Sequence, residues 1–187
     1  MSRFVRLHSG GVVRNAVAAL LVGPSGAGKS TLVTRLVTDG FSLLSDDEIW
    51  IDVESGLAHP ATRSLLLKDS AWDLFPHHRR KFVDSGATDC RSWWLEPEDL
   101  RPGCRAAASP VNTLIFVEPR SSQRCPALER MGQTEALGRL LTESMNFPEV
   151  RGRGLSVLVN IVRAANTFRL TNGDLDACAD ILDGVLQ

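Results

Sequence analysis

Apolar and polar positions along the chain fall into short blocks with two different periods. Arg3 to His8 predicts a short strand, and the apolar block from Asn15 to Val22 predicts a buried strand that ends at Gly23. From Lys29 to Thr38 the apolar residues Leu32, Val33, Leu36 and Val37 recur at helical spacing, and Gly40 stops that helix. Phe41 to Ser45 predicts a strand that delivers Asp46 and Asp47 at its C-terminal end. Ile49 to Val53 and Arg63 to Leu67 are further strand candidates. Val111 to Val117 is a strong buried strand, and Ala127 to Met131 a weaker one. Thr134 to Met145 and Leu155 to Ala165 predict helices, Thr167 to Leu170 a short strand, and Leu175 to Leu186 a terminal helix. Strands and helices mixed in this way predict an α/β domain. Between His77 and Arg105 no clean period survives, which predicts a loop-rich insertion.

Composition adds bounds rather than detail. A chain of 187 residues, 43% hydrophobic, suits one compact domain over residues 1–187 with a real core. The net charge of -1 and a pI near 6.4 give no field that would draw nucleic acid or a membrane surface. Cys90, Cys104, Cys125 and Cys178 form no Cys-x-x-Cys pair, so neither a disulfide framework nor a structural zinc site is expected. They read as reduced thiols. The first residues lack the apolar core of a signal peptide, and the run Ala16 to Val22 is too short to span a bilayer. A soluble, cytoplasmic protein is expected; its oligomeric state is open, a homo-oligomer included.

The chemistry concentrates at Gly23-Pro24-Ser25-Gly26-Ala27-Gly28-Lys29-Ser30-Thr31, a Gly-x4-Gly-Lys-Ser loop. Glycines let backbone N–H groups wrap phosphates without Cβ clashes. Lys29 can reach the β- and γ-phosphates, Ser30 can ligate Mg²⁺, and the helix that follows offers its positive end to the anion. The loop is preceded by a predicted strand and followed by a predicted helix, as ATP binding through such a loop requires. Asp46 and Asp47 come only 16 and 17 residues after Ser30. One carboxylate could hold the metal and the other accept a hydroxyl proton. Adjacent strand residues point to opposite faces, so both can serve only if the strand ends or kinks there.

These residues resemble the HPr kinase/phosphorylase superfamily, in particular its short branch of HPr-kinase-related serine kinases. The phosphate loop is followed by Gly40-Phe41-Ser42-Leu43-Leu44-Ser45-Asp46-Asp47, similar to that family's Gly-x-x-Leu…Asp-Asp arrangement, and His8 lies 15 residues before Gly23. The stretch His59-Pro60-Ala61-Thr62-Arg63-Ser64-Leu65-Leu66-Leu67-Lys68 looks like the family's Pro-Arg-Pro…Leu-Lys segment. Weaker likeness continues through Asn112 to Phe116, Ser144-Met145-Asn146 and Phe168-Arg169-Leu170. Leu44 to Glu48 also resembles phosphoenolpyruvate carboxykinase, which shares the fold. The resemblance implies a P-loop domain with a mixed sheet and flanking helices, using ATP and Mg²⁺. It implies that Lys29 and the loop amides hold the phosphates, that Ser30 shares Mg²⁺ with Asp46 or Asp47, and that Asp47 is the base toward an acceptor serine. His8 would sit near the transferring phosphoryl group, and Arg63 would clamp a phosphate. The family's extra N-terminal domain and its later magnesium-binding glutamate signature are not recognisable, which weakens any expectation of the reverse, phosphorylase reaction or of HPr itself as substrate.

The acceptor implied is a serine on a protein or peptide. Two other readings stay open. One is a small-molecule kinase whose late acidic residue is Glu118, in the Glu118-Pro119-Arg120 end of the Val111 to Val117 strand. The other is a regulatory module that binds ATP without turnover. The segment from 77 to 105 carries His77, His78, Arg79, Arg80, Lys81, Arg91, Arg101 and Arg105 with Trp93 and Trp94. It is either a recognition surface for an acidic peptide or a solvated loop anchored by its tryptophans.

Overall fold

The computed structural model describes residues 2–61, 63–86, 91–119 and 125–186, so Thr62, Cys90 and Arg120 lie outside the described residues. Its main feature is an eight-stranded mixed sheet. The strands are β1 (Phe4–Arg14), β2 (Val17–Val22), β3 (Ser42–Ser45), β4 (Glu48–Asp52), β5 (Leu57–His59), β9 (Ser109–Val117), β10 (Ala127–Arg130) and β11 (Asn166–Thr171). A second sheet holds β6 (Leu65–Lys68), β7 (Val83–Asp84) and β8 (Ser92–Leu95), in the order β6-β8-β7. The main order is β10-β11-β9-β2-β1-β4-β5, with β3 beside β1. Because β5 also pairs with β9, strands β9, β2, β1, β4 and β5 close on themselves. The pairs β2–β9 and β9–β11 are parallel, and the other pairings of the sheet are antiparallel.

The two faces of the sheet follow from alternation. In β2, Ala19 and Leu21 join one core cluster, while Ala18, Leu20 and Val22 join the other. In β9, Ile115 and Val117 point one way, Leu114 and Phe116 the other. The first face is covered by α1 (Lys29–Thr38) and α5 (Leu175–Val185), the second by α3 (Gln133–Thr142) and α4 (Phe147–Ala164). From α1, Leu32, Val33, Leu36 and Val37 are all buried, each contributing roughly 1.5–3 kcal/mol of transfer free energy. The first cluster also takes Leu65, Leu67 and Leu95 from the small sheet, so α1 is packed between the two sheets.

The first strand runs past the expected stop at His8 to Arg14. Gly10 and Gly11 do not break it; they let α1 and β4 come close. A Cβ on Gly10 would lie 2.7 Å from Val33 Cγ2, and one on Gly11 2.9 Å from Ile49 Cδ1. Asn15 (φ 51°) and Ala16 (φ 63°) then make a two-residue turn into β2. Asparagine tolerates that conformation, whereas alanine is strained by roughly 1–2 kcal/mol. The helix expected over Thr134 to Met145 ends at Thr142. Residues 143–146 lie along β1 instead: the His8 N–H donates to the Glu143 carbonyl at 2.9 Å and the Met145 N–H to the Arg6 carbonyl at 2.8 Å. The buried Asn146 completes this edge, accepting from the Arg6 N–H at 2.9 Å and donating to the Phe4 carbonyl at 3.0 Å. A kink at Arg151 (φ 40°, ψ −122°) breaks α4, and its core-facing part starts close to the expected helix at Leu155.

The segment 77–105 includes a 3-10 turn (Pro76–Lys81), β7, β8 and the short α2 (Pro97–Leu100). Arg101 caps α1: its guanidinium donates to the carbonyls of Val37, Gly40 and Phe41 at 3.2, 3.3 and 2.6 Å. A cation on the last carbonyls of a helix complements its dipole. Arg105 faces Glu96 and Glu98 at 3.6 and 3.9 Å. Among the described residues no helix is long and apolar enough to cross a membrane. Cys104 and Cys178 are buried free thiols, and Cys125 is an exposed one.

Candidate functional site

The glycine-rich loop 23–28, the candidate phosphate cradle, joins β2 to α1. Gly23, Gly26 and Gly28 have φ of 157°, 84° and 96°, the last two in a region closed to most side chains. A Cβ on Gly26 would meet nothing within 4 Å, so the cradle at that position is open. Gly23 needs its bare Cα because a Cβ would lie 2.5 Å from the Val117 carbonyl. The loop is bolted from behind by Asn172, whose Nδ2 donates to the Ala27 carbonyl at 2.6 Å. Nothing in the sequence pattern singled out Asn172.

Below the loop opens a cleft of about 270 Å³. It brings together His8, Ser25, Gly26, Gly28, Lys29, Ser30, Thr31, Asp46, Asp47, Arg63 and Lys68 from five separate parts of the chain. Gly23, Pro24 and Ala27 complete the loop without lining the cleft; the Gly23 and Pro24 carbonyls accept from Lys29 Nζ at 2.6 and 3.1 Å. Ser64, Leu66, Leu67, Ser70 and Trp94 also line it, and sequence reasoning had not placed them there.

Asp46 and Asp47 both sit in the bend between β3 and β4, because β3 ends at Ser45, just before them. Ser45 makes the bend. Its Oγ accepts from the N–H groups of Asp47 and Glu48 at 3.4 and 3.3 Å. A serine turn of this kind is legible in principle from Ser-Asp-Asp. The result is two carboxylates in opposite environments: Asp46 is 5% exposed, whereas the Asp47 side chain is 60% exposed. Burial pushes the Asp46 carboxyl up to about 6, although its bond from the Leu66 N–H at 3.1 Å pulls the other way. The Ser30 hydroxyl donates to the Asp46 carbonyl at 3.4 Å, which puts the hydroxyl next to that residue.

Three residues form a chain across the cleft. Lys29 Nζ lies 3.0 Å from His8 Nε2, and His8 Nδ1 lies 3.2 Å from Asp47 Oδ1. An ammonium can only donate, so Nε2 accepts and the proton of the neutral ring belongs on Nδ1, directed at Asp47. Burial pushes the Lys29 ammonium down from its ordinary value, and the charges of Glu143, Asp47 and Asp46 oppose that.

Arg63 reaches the cleft from the chain before β6, and its Nη2 is 3.7 Å from Glu48 Oε2. Glu48 is buried and also binds Arg6 and the Trp50 Nε1, the latter at 2.8 Å. The Arg6 hydrogen bond is the main reason its carboxyl is held below the usual range. Glu118, the late acidic alternative, is outside the cleft lining. Its carboxylate is taken by Arg139 Nη1 at 2.6 Å and Arg169 Nε at 3.5 Å, in a network shared with Glu135.

The donor set fits a triphosphate with Mg²⁺. Among the described residues no group of three or more His, Cys, Asp or Glu could hold a metal by itself. Mg²⁺ commonly takes only one or two carboxylates and completes its shell with phosphate oxygens and water, which is what Asp46, Asp47 and the Ser30 hydroxyl could offer.

No family model matches the chain, and no curated protein matches it. Among solved structures it is similar to the HPr(Ser) kinase/phosphatase from Coxiella burnetii, with 13% sequence identity and a TM-score of 0.41, covering 97% of this chain and 92% of that one. A likeness of this degree is loose.

Proposed function

We propose that this chain is a cytoplasmic, ATP- and Mg²⁺-dependent kinase that transfers the γ-phosphoryl group to a serine hydroxyl of a protein or peptide. One observation carries the reading: an exposed carboxylate, Asp47, faces the phosphate-loop lysine through His8 within a single cleft. The loop amides and Lys29 would hold the phosphates of ATP, and Arg63 would neutralise charge at the open side. Bound Mg²⁺ would supply charge neutralisation and orient the phosphates. Asp46, with Ser30 beside it, is the carboxylate suited to that ion because it is buried and fixed by Leu66. Asp47 is suited to accept the serine proton as the serine oxygen bonds to the γ-phosphorus and the bond to the β–γ bridging oxygen breaks, releasing ADP. Positioning and charge neutralisation supply most of the catalysis in such transfers.

The common P-loop alternative gains no support from Glu118, which is occupied by two arginines. The decisive comparison uses labelled ATP with candidate protein and peptide acceptors. Asp47→Asn is expected to retain Mg·ATP binding and lose about 10²–10⁴-fold in phosphoryl transfer, the usual worth of a general base. Glu118→Gln is expected to keep its transfer rate. The opposite pattern would sink the assignment, and ATP binding without labelling of any acceptor would favour a regulatory module.

A further inference from the structure

We propose that the solvent face of the small sheet docks the acceptor as an extended peptide, which lays an apolar side chain next to its acceptor serine on the row Leu66, Trp94 and Val83. This rests on the kinase reading and adds a substrate preference to it. Leu66 is opposite Trp94 in the β6–β8 pair, and Trp94 is opposite Val83 in the β8–β7 pair. The three side chains therefore stand side by side across three strands, about 4.8 Å from one strand to the next. They are 38%, 40% and 64% exposed, respectively. The other face of the same strands sends Leu65, Leu67 and Leu95 into the core at no more than 1% exposure. Burial of that face attaches the sheet, so the apolar row opposite it has no evident role in folding.

The row begins at the chemistry. Leu66 and Trp94 line the cleft that contains His8 and Asp47, and the Leu66 N–H holds the Asp46 carboxylate at 3.1 Å. Val83 lies beyond the cleft lining, so the row leads outward from the carboxylates. Arg63 and Lys68 line the cleft end, which disfavours a cation next to the acceptor serine. The row spans only about 10 Å across two strand spacings. A second folded copy needs about 800 Å² per partner, far more than three half-exposed side chains offer. A nucleobase could stack on Trp94 but would leave Val83 without a role. An extended peptide fits both the width and the direction.

The test pairs two serine peptides, one flanked by leucine and one by glutamine. Each is assayed for phosphorylation by the full chain. Serine-to-alanine versions are assayed for binding by fluorescence anisotropy in the presence of Mg·ADP. Wild type is expected to favour the leucine-flanked peptide about tenfold or more in KM and in binding, the effect of a modest hot spot. Trp94→Ala and, independently, the surface change Val83→Asp are expected to erase the preference, and Val83→Asp, which lies outside the cleft lining, to leave Kd for Mg·ATP within about twofold. Equal use of both peptides by wild type, or a preference that survives both variants, overturns the docking surface. A loss of Mg·ATP affinity in Trp94→Ala with the peptide preference intact assigns the tryptophan to the nucleobase and overturns it too. Selective binding of the leucine-flanked peptide without phosphoryl transfer would support the surface while the kinase reading fails. Transfer without preference would leave the kinase reading and remove the surface.

Discussion

Asp46 and Asp47 are neighbours in sequence and opposites in environment, and the bend they occupy is held by a single hydroxyl, Ser45 Oγ. His8 then takes its importance from two contacts, one to Asp47 and one to Lys29. Removing the ring leaves both partners in place but uncouples them. His8→Ala is therefore expected to slow transfer about 10²-fold, as a small displacement of a reacting group does, with Kd for Mg·ATP little changed. Steady-state kinetics with a titration of nucleotide binding checks this; a loss confined to ATP affinity would make His8 a phosphate ligand instead. The loop, the aspartate pair and His8 were all legible as residues, because each belongs to a spaced motif. Asn172 and Glu48 were not. Each acts through a contact between distant segments, Asn172 with Ala27 and Glu48 with Arg6 and Arg63, and such contacts leave no local pattern.

At the scale of elements, α1, β2 and β9 were readable because buried apolar side chains at one period dominate them. The first strand runs on past the expected end at His8 through Gly10 and Gly11, where a bare Cα serves close packing against Val33 and Ile49. The segment from 77 to 105 was opaque because β7 has two residues and β8 four, too few for a period to register. Two of the arginines in that segment have partners within the chain: Arg101 ends α1, and Arg105 pairs with two glutamates. Where β4 ends, Asp52 accepts from the N–H groups of Glu54 and Ser55 at 2.8 and 3.2 Å and from Arg3 Nε at 2.8 Å. These bonds, the Glu54 N–H first and Arg3 next, hold its carboxyl down at about 2, against an ordinary 3.8. A depressed carboxylate stabilises the fold fully above its unfolded pKa, and that contribution fades as pH falls through the folded value. Asparagine keeps the oxygen that binds the turn and removes the charge that binds Arg3. The Tm gap between wild type and Asp52→Asn is thus expected to be constant above about pH 5 and to close between about pH 4 and 2. A gap that widens in acid would reverse the assignment.

For the whole molecule, the question is whether the small sheet is carried by the rest or merely tethered to it. The first core cluster contains Leu32 and Leu36 of α1, Leu182 of α5 and Leu65, Leu67 and Leu95 of the small sheet, so one apolar body crosses from one sheet to the other. Asp46 is bonded to Leu66 across the same junction, which ties the geometry of the carboxylates to how firmly that sheet is seated. With Trp50, which lies on β4, and Trp72 replaced by phenylalanine, the fluorescence of Trp93 and Trp94 reports on the small sheet, while far-UV circular dichroism is dominated by the larger sheet and the helices. If the cluster is continuous, both signals should follow a single denaturant transition. Leu67, 1% exposed, is the natural place to weaken it. Leu67→Ala is expected to cost about 2–5 kcal/mol, the range for a cavity at a fully buried leucine, and to move both signals together. A tryptophan transition that precedes the loss of helix would mean that the small sheet detaches first. Asp46 would then lose its Leu66 partner before the phosphate loop unfolds, and phosphoryl transfer should fail at denaturant concentrations that still permit nucleotide binding.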